Sequence, residues 1–291
     1  MEPNPKPPLV SIGMPVYNEA GHIDAALRSL RAQTCRDIEI IVCDNASTDE
    51  TVGICRHHAQ EDPRIRVEVA ERNFGSTVNF LRSLELARGE YFMWASGHDL
   101  WSPGLLAECV SLLQSHPEAC IAHGSADWIG PSGEPLARES GWVDTRGMDP
   151  VGRYFTVLWG NMHPVLGVMR TQRLKSSPVP SIVGGDLVLL ASLSLEGDIL
   201  HAPGSRWSRR ELRWETSHRQ KVKRYASREF GAARTLLSRV FPLAELPLAL
   251  MRVLIGSRLR WFDKLLALAA LVPMLALRYR AGRRAPPHST Q

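Results

Sequence analysis

The sequence predicts an α/β fold in which a mostly parallel sheet carries helices on both faces. Over the first hundred residues, short apolar runs rich in β-branched residues alternate with segments that have helical periodicity. This β-α-β-α-β-α-β order favours parallel strands, which need crossover connections. The chain has 291 residues, of which 44% are hydrophobic and 22% are charged, as is typical of a globular protein.

The apolar pattern places each element in turn. Strands are expected at 9–14, 38–43, 65–69 and 91–95, with helices between them at 18–33, 49–60 and 76–87. Later helices are expected at 105–114, 151–158 and 187–195, and later strands at 119–122 and 164–170. Residues 124–147 are rich in Gly, Pro and charge and indicate a loop or hairpin. Ser47 or Thr48 is expected to cap the second helix, and Ser102 the helix over 105–114.

The formal net charge is +5, and the basic residues crowd the last third of the chain. Such a patch suits an anionic ligand or an anionic membrane surface. The five cysteines have no CxxC spacing, which argues against a disulfide framework or a zinc knuckle and favours a reducing compartment. The polar, proline-rich start lacks the apolar core of a signal peptide, so a cytoplasmic location is expected.

Polar residues cluster where each of the first four strands ends. The clusters are Pro15–Glu19, Asp44–Asp49, Arg72–Gly75 and Ser96–Asp99. Because the carboxyl ends of parallel strands share one edge of the sheet, these clusters predict a binding crevice there. The GxGxxG and GxxxxGK[ST] fingerprints are both missing, which argues against a dehydrogenase and a P-loop enzyme.

Several side chains at this edge suit a nucleotide. Tyr17 could offer its ring to a base or ribose, or it could be a packing residue. Glu19 and Asp44 can accept hydrogen bonds from ribose hydroxyls, although Asp44 could instead be a turn aspartate. His98 and Asp99 are expected to face a phosphate-bearing ligand through a metal ion, and the alternative is a turn with a solvated histidine.

Together, the four clusters and the following Leu100-Trp101 resemble family 2 glycosyltransferases of the GT-A fold, a Rossmann-like arrangement. The resemblance spans residues 9–215 and implies a nucleotide-sugar donor, a divalent metal and inversion at the anomeric carbon. It implies no nucleic-acid partner. The residues it places around the donor are Pro15, Val16, Tyr17, Glu19, Asp44, Arg72, Ser96 and Gly97.

The metal corner of the family reads Asp-x-Asp followed by another Asp, whereas this chain has Ser96-Gly97-His98-Asp99. Ser96 replaces the carboxylate that faces the ribose and metal, and His98 replaces the usual metal ligand. His98 and Asp99 are therefore the expected metal site, where Asp99 could bind the metal directly, bind it through water, or orient His98. Mn²⁺ is expected rather than Mg²⁺, because an imidazole suits Mg²⁺ poorly. The loss of two carboxylates is expected to weaken metal binding.

The resemblance also implies catalytic roles in the second half. Asp186, just before the helix over 187–195, matches the general base of the family, and the alternative is a plain helix cap. Arg209 and Arg210 match a basic strand near the pyrophosphate, and the alternative is a solvated basic face. Asn161, His163 and Arg170 could face the acceptor or be structural.

Residues 216–291 are expected to form a helical appendage. Basic residues at 219–228 precede two apolar runs, 241–255 and 265–277, which are flanked by arginines. Neither run reaches the ~20 residues that a membrane span needs, and Pro247 and Pro273 interrupt them. The composition favours peripheral association with the inner face of the cell membrane. The alternative is packing on the catalytic domain or on a partner subunit.

The sequence thus predicts an inverting glycosyltransferase that acts on a hydroxyl of a polysaccharide, a lipid-linked glycan or a glycoconjugate. The alternative is a non-catalytic protein that binds a nucleotide sugar or serves as a scaffold.

Overall fold

The computed structural model describes residues 6–138, 140–212 and 245–284, and strands and helices alternate through its first half as predicted. The strands are β1 (Val10–Val16), β2 (Ile38–Asp44), β3 (Ile65–Val69), β4 (Tyr91–Trp94), β5 (Leu100–Trp101), β6 (Ile121–Ile129), β7 (Pro135–Leu136), β8 (Val168–Arg170) and β9 (Ile199–Arg210). The helices are α1 (Ile23–Arg31), α2 (Thr51–Glu61), α3 (Ser76–Glu85), α4 (Leu105–Ser115), α5 (Pro150–Trp159), α6 (Thr171–Ser176), α7 (Gly185–Glu196), α8 (Glu245–Gly256) and α9 (Trp261–Arg284).

One sheet runs through the molecule in the order β3-β2-β1-β4-β8-β6-β9-β5, with β7 added beside β6. The first four strands are parallel, which confirms the predicted α/β fold. The second half is mixed, because β8 runs antiparallel between β4 and β6, and β9 then pairs with β6 in parallel. The mixed half brings β5 and β9 next to the end of β4.

Two hydrophobic layers enclose the sheet. Helices α1, α2 and α4 cover one face, and α3, α5 and α7 cover the other. All seven residues of β2 are buried, and the apolar run Ile40–Cys43 is what a parallel strand covered on both faces requires. Because helices cover both faces of the sheet, the loops at the carboxyl ends of its strands are the part that can form a site.

One predicted helix start and one predicted helix cap were wrong. Helix α1 begins at Ile23 rather than at residue 18, because the residues after β1 form a loop that is tied to the next loop. Helix α4 begins at Leu105 with Gly104 at its cap. The Ser102 hydroxyl instead accepts a hydrogen bond of 2.9 Å from the Arg206 backbone N–H, next to the β5–β9 pairing.

The predicted strand over 164–170 was also wrong in its first half. His163–Leu166 forms a 3₁₀ turn, and only Val168–Arg170 pairs in the sheet. The Arg170 guanidinium donates to the backbone carbonyls of Leu113, His116 and Ala119 at the end of α4. Arg170 therefore has a structural role rather than facing an acceptor.

The described C-terminal helices pack against the second hydrophobic layer. Leu250 and Leu254 of α8, and Ala267 and Leu271 of α9, are buried in the same cluster as α5 and α7. The Tyr154 hydroxyl of α5 donates to the Leu250 carbonyl at 3.3 Å. No helix in the described ranges has both the length and the apolar character needed to cross a bilayer. The basic stretch 219–228 and the boundary at 215/216 lie outside the described residues, so the domain division stays a prediction.

Candidate active site

The loops after β1 and β2 are held together by side chains. The Asn18 backbone N–H donates to Ser47 Oγ at 2.9 Å, and the Thr48 N–H donates to Asn18 Oδ1 at 2.8 Å. Asn18 has a φ of 55°, a conformation that asparagine tolerates well. The expected caps were wrong, since Glu50 lies at the start of α2. Ser47 and Thr48 instead join the two loops.

The loop after β3 joins the same group. Asn45 Nδ2 donates to Asn73 Oδ1 at 2.8 Å, and the Phe74 N–H donates to Asn45 Oδ1 at 3.0 Å. The Arg72 guanidinium lies 5.0 Å from the centre of the Phe74 ring. Arg72 is therefore carried on a loop that is fixed to the loop after β2.

The corner after β4 closes against the first loop. His98 Nδ1 lies 2.9 Å from Glu19 Oε1, within hydrogen-bond distance. A methyl group built on Gly97 would lie 2.8 Å from Glu19 Cγ and 3.1 Å from Val16 Cγ1, so glycine permits the close approach. All four predicted loops thus meet at one edge of the sheet.

Asp99 ties this corner to β9. The residue is 2% exposed, and its Oδ2 accepts from Trp207 Nε1 at 2.9 Å while its Oδ1 accepts from the Arg210 N–H at 2.8 Å. The Arg210 guanidinium donates to the carbonyls of His98, Gly130 and Pro131. Both side chains hold the backbone of the corner in place, a role that the sequence did not predict.

These contacts decide how well the corner suits a metal ion. His98 Nδ1 is bonded to Glu19, both Asp99 oxygens have protein donors, and His98 Nε2 lies 3.9 Å from Asp99 Oδ1. Across the described ranges, no three His, Cys, Asp or Glu side chains are grouped so that they could hold a metal. The donor set does not fit a metal ion held by protein side chains alone.

The remaining donor residues differ in exposure. Asp44 is fully buried and accepts from the Ser47 N–H at 2.9 Å and from the Ser47 hydroxyl, so it closes its own turn, as the alternative held. Tyr17 is 41% exposed in the loop after β1. Val16 is buried in β1, and Pro15 pairs with Cys43 in the β1–β2 register. The Ser96 hydroxyl is buried and lacks a hydrogen-bond partner among the described residues.

Asp186 lies in the first turn of α7. Gly184 holds the cap position with a φ of 85°, so the alternative of a capping Asp186 is not what the structure has. Asp186 is exposed, and within the described ranges its carboxylate takes part in no hydrogen bond or ion pair. The carboxylate is therefore accessible to a second substrate.

An aromatic and basic wall continues from the corner along β6 and β9. The guanidinium groups of Arg138 and Arg209 lie 3.7 and 4.6 Å from the centre of the Trp128 ring. The His163 ring stands perpendicular to Trp207 at 5.3 Å, and burial followed by the charge of Arg209 lowers its pKa to about 4. The sequence had no signal for Arg138, because only the β6–β7 hairpin brings it beside Trp128.

Residues 11–171, more than half of the chain, match the family model described as glycosyl transferase family 2. The chondroitin synthase of Escherichia coli is 34% identical over 104 residues, which make up 35% of this chain and 15% of that protein. The chain spans between 14% and 34% of the length of the first curated relatives that it matches.

Solved structures share the fold. TarS of Staphylococcus aureus in complex with UDP-GlcNAc has a TM-score of 0.66 at 17% identity, covering 91% of this chain and 72% of that one. The mannosyltransferase PcManGT of Pyrobaculum calidifontis, in complex with GDP-Man and Mn²⁺, has a TM-score of 0.55 at 18% identity, covering 96% and 81%. At this identity the likeness shows the fold alone.

Proposed function

Because this chain belongs to glycosyl transferase family 2, we propose that it moves a sugar from a nucleotide-diphosphate donor to an acceptor hydroxyl with inversion at the anomeric carbon. The chain has the family and the fold of glycosyltransferases. The donor, the acceptor and the stereochemistry belong to the proposal. The observation that carries it is the meeting of four strand-end loops at one edge of the sheet, tied together by Asn18, Asn45 and Glu19.

In the proposed complex the nucleotide lies along the tied loops. Tyr17 offers an exposed ring, Glu19 and Arg72 lie on loops with fixed positions, and the buried Ser96 hydroxyl has bonding capacity left for a ligand. Asp44, which already closes its turn, has further lone pairs for a ribose or base N–H. Solved neighbours hold UDP, UDP-GlcNAc and GDP-Man, which supports a nucleotide-sugar donor without selecting one.

Asp186 is proposed as the general base. The acceptor oxygen attacks the anomeric carbon, the bond from that carbon to the diphosphate oxygen breaks, and the acceptor proton passes to the Asp186 carboxylate. A carboxylate suffices because the hydroxyl becomes acidic only as the new bond forms. The departing diphosphate needs positive charge. Arg209, whose guanidinium lies 4.6 Å from the centre of the Trp128 ring, is proposed to supply it together with the neighbouring Arg210.

A divalent metal stays a prediction for the donor complex. PcManGT carries Mn²⁺ with its donor, which makes such an ion plausible here, and His98 and Asp99 stay the predicted ligands. When bound with the donor, the ion would neutralise diphosphate charge. The steps assigned above to Asp186 and Arg209 do not depend on it.

The second candidate is a protein that binds the nucleotide sugar without transferring it. Ser96 and His98 stand where the family has carboxylates, and Asp99 is occupied by Trp207 and Arg210, which favours this candidate. Release of nucleoside diphosphate from a panel of nucleotide sugars, with and without Mn²⁺, separates the two. Turnover of any donor contradicts the non-catalytic alternative.

The acceptor is proposed to be a polysaccharide, a lipid-linked glycan or another glycoconjugate. The similarity to chondroitin synthase supports a polysaccharide, and the basic, apolar C-terminal helices support a location at the inner face of the cell membrane.

The substitution Asp186→Asn tests the base. Transfer is expected to fall by about a hundredfold or more, because the amide cannot accept the proton, while nucleotide binding stays unchanged. Donor turnover and nucleotide binding by calorimetry are measured on the same protein. Glu196→Gln, an exposed acid at the other end of α7, is the matched control and should behave as the parent. Transfer at the parent rate by the Asp186→Asn variant rules out the assigned base.

A further inference from the structure

The C-terminal helices expose an unusual number of large apolar side chains. We define the hairpin face as the large apolar residues that are more than half exposed between Ile255, near the end of α8, and Leu277 of α9. They are Ile255 (59% exposed), Trp261 (74%), Phe262 (54%), Leu265 (56%), Leu266 (55%), Val272 (56%) and Leu277 (51%). A cluster of this kind in one structural unit marks an interaction surface rather than scattered surface residues.

Helix α9 is apolar on both sides. Its inner side buries Ala267 and Leu271 against the second hydrophobic layer, whereas its outer side carries Trp261, Leu265 and Val272. A helix that is hydrophobic all round is normally covered all round. The outer side of α9 therefore needs an apolar environment that the described residues do not supply.

The charged residues around the hairpin face indicate which apolar environment covers it. Arg252, Arg258 and Arg260 are exposed at one end, and the sequence continues with further arginines from 278 to 284 at the other. Residues 245–284 contain eight Lys and Arg residues but only two Asp and Glu residues. Lipid phosphates lie next to apolar chains, so a bilayer surface matches arginines that border an apolar stripe.

We propose that the hairpin face binds the surface of an anionic phospholipid bilayer, with α9 lying in the plane of the interface. Trp261 enters the boundary between headgroups and acyl chains, where an amphipathic indole ring is favoured, and Phe262 buries its apolar ring beside it. Arg258 and Arg260 contact the lipid phosphates. The inference extends the membrane location proposed above by naming the surface, but its test requires no glycosyl transfer.

The test is co-sedimentation of the full chain with phosphatidylcholine vesicles that contain or lack phosphatidylglycerol. The combined variant Trp261→Ser, Phe262→Ser and Leu265→Ser is expected to lower the partition coefficient about tenfold or more, because each exposed apolar side chain loses its burial in lipid. Trp142→Ser, which removes a 62% exposed tryptophan outside the hairpin, is the matched control and should bind as the parent.

A second variant tests the charges and guards against misfolding. Arg258→Gln with Arg260→Gln leaves the apolar residues intact and is expected to reduce the preference for phosphatidylglycerol vesicles and its sensitivity to salt. The proposal is overturned if the parent does not bind anionic vesicles, or if both variants bind as the parent does.

A rival occupant gives a distinct result. If a second copy of this chain covers the hairpin face, sedimentation equilibrium without lipid will show a dimer that the triple variant abolishes, and vesicles will not bind. Nucleotide-sugar binding, measured by thermal shift on the same proteins, reports separately on the proposed function. A parent that binds vesicles but no nucleotide sugar would contradict that function alone.

Discussion

Asp99 is buried at the edge of the sheet where the site lies, and both of its carboxylate oxygens accept hydrogen bonds from β9. Its role follows from burial, because a carboxylate removed from water needs donors from the protein. For the same reason the buried Asp44 accepts hydrogen bonds within its own turn. The exposed Asp186 needs no protein donor and is accessible to a substrate. At the scale of single residues, burial decides which polar side chains need protein donors, and Asp186 is one that needs none.

The substitution Asp99→Asn is expected to destabilise the fold even when metal is chelated. The new amide group turns a donor toward either the Trp207 or the Arg210 N–H, which costs about 1–3 kcal/mol for a buried unsatisfied group. Urea unfolding in the presence of EDTA measures the change. Asp127→Asn, which breaks only the exposed Arg206 pair, should be nearly neutral. Equal stability of parent and Asp99→Asn would contradict the structural role.

His163 predicts a pH dependence of stability. Burial, with the charge of Arg209 adding to it, lowers its pKa to about 4 from 6.5, so the unfolded chain binds this proton before the folded chain does. The contribution is present above pH 6.5 and is lost as the pH falls toward 4. By linkage the loss amounts to about 3 kcal/mol.

The variant His163→Phe should remove this part of the pH dependence, because a phenyl ring fills the space without titrating. Urea unfolding of parent and variant between pH 7 and pH 4 measures the difference. His57→Phe, at an exposed histidine, should keep the dependence of the parent. Parallel curves for the parent and His163→Phe would show that His163 does not cause the loss.

At the scale of elements, the site depends on how closely the loop after β1 approaches the corner after β4. Val16, Glu19 and Gly97 meet there with no room for a Cβ atom. Because these loops come from neighbouring parallel strands, a shift of one changes the position of both. Nucleotide binding should therefore be sensitive to changes in backbone spacing as well as to polar side chains.

The substitution Gly97→Ala tests this spacing. The added methyl group is expected to push Glu19 away from His98, weaken nucleotide binding by about tenfold and cost about 1–3 kcal/mol of stability. Calorimetric titration with nucleotide and thermal unfolding measure the two effects. Gly104→Ala, where an added Cβ meets no atom within 4 Å, is the matched control. If the two variants behave alike, the close approach is unimportant for binding.

At the scale of the whole molecule, the described C-terminal helices share a core with the α/β sheet and its helices. Leu250 and Leu254 are fully buried in the layer that also contains Leu187 and Leu190 of α7. Loss of the contacts that α8 makes in this layer should therefore lower the stability of the sheet as well. The helices contribute to stability on their inner side and leave their outer side for the proposed bilayer.

The substitution Leu250→Ala is expected to lower the free energy of unfolding by about 2–5 kcal/mol in a single transition, because the cavity opens in a shared core. Urea unfolding followed by tryptophan fluorescence and circular dichroism measures it. Leu248→Ala, at a residue that is 45% exposed on the same helix, should have little effect. Two separate transitions would instead support an appendage that unfolds independently of the sheet.

The sequence by itself determined the first half of the fold and the edge at which the site lies. Apolar runs such as 38–43 are too short and too rich in β-branched residues to be helices, and their order requires crossovers. The polar clusters after each strand then had to share one edge. Family resemblance added the roles of Asp186 and Arg209, which periodicity alone does not indicate.

Only the tertiary structure decided what the residues of the edge do. Ser47 and Thr48 join loops rather than cap a helix, and Arg210 holds a corner, because their partners lie about 29 to 112 residues away along the chain. Arg138 reaches Trp128 only through a hairpin. Local pattern reports propensity and burial, whereas the partner of a polar group depends on long-range packing that no short window of sequence contains.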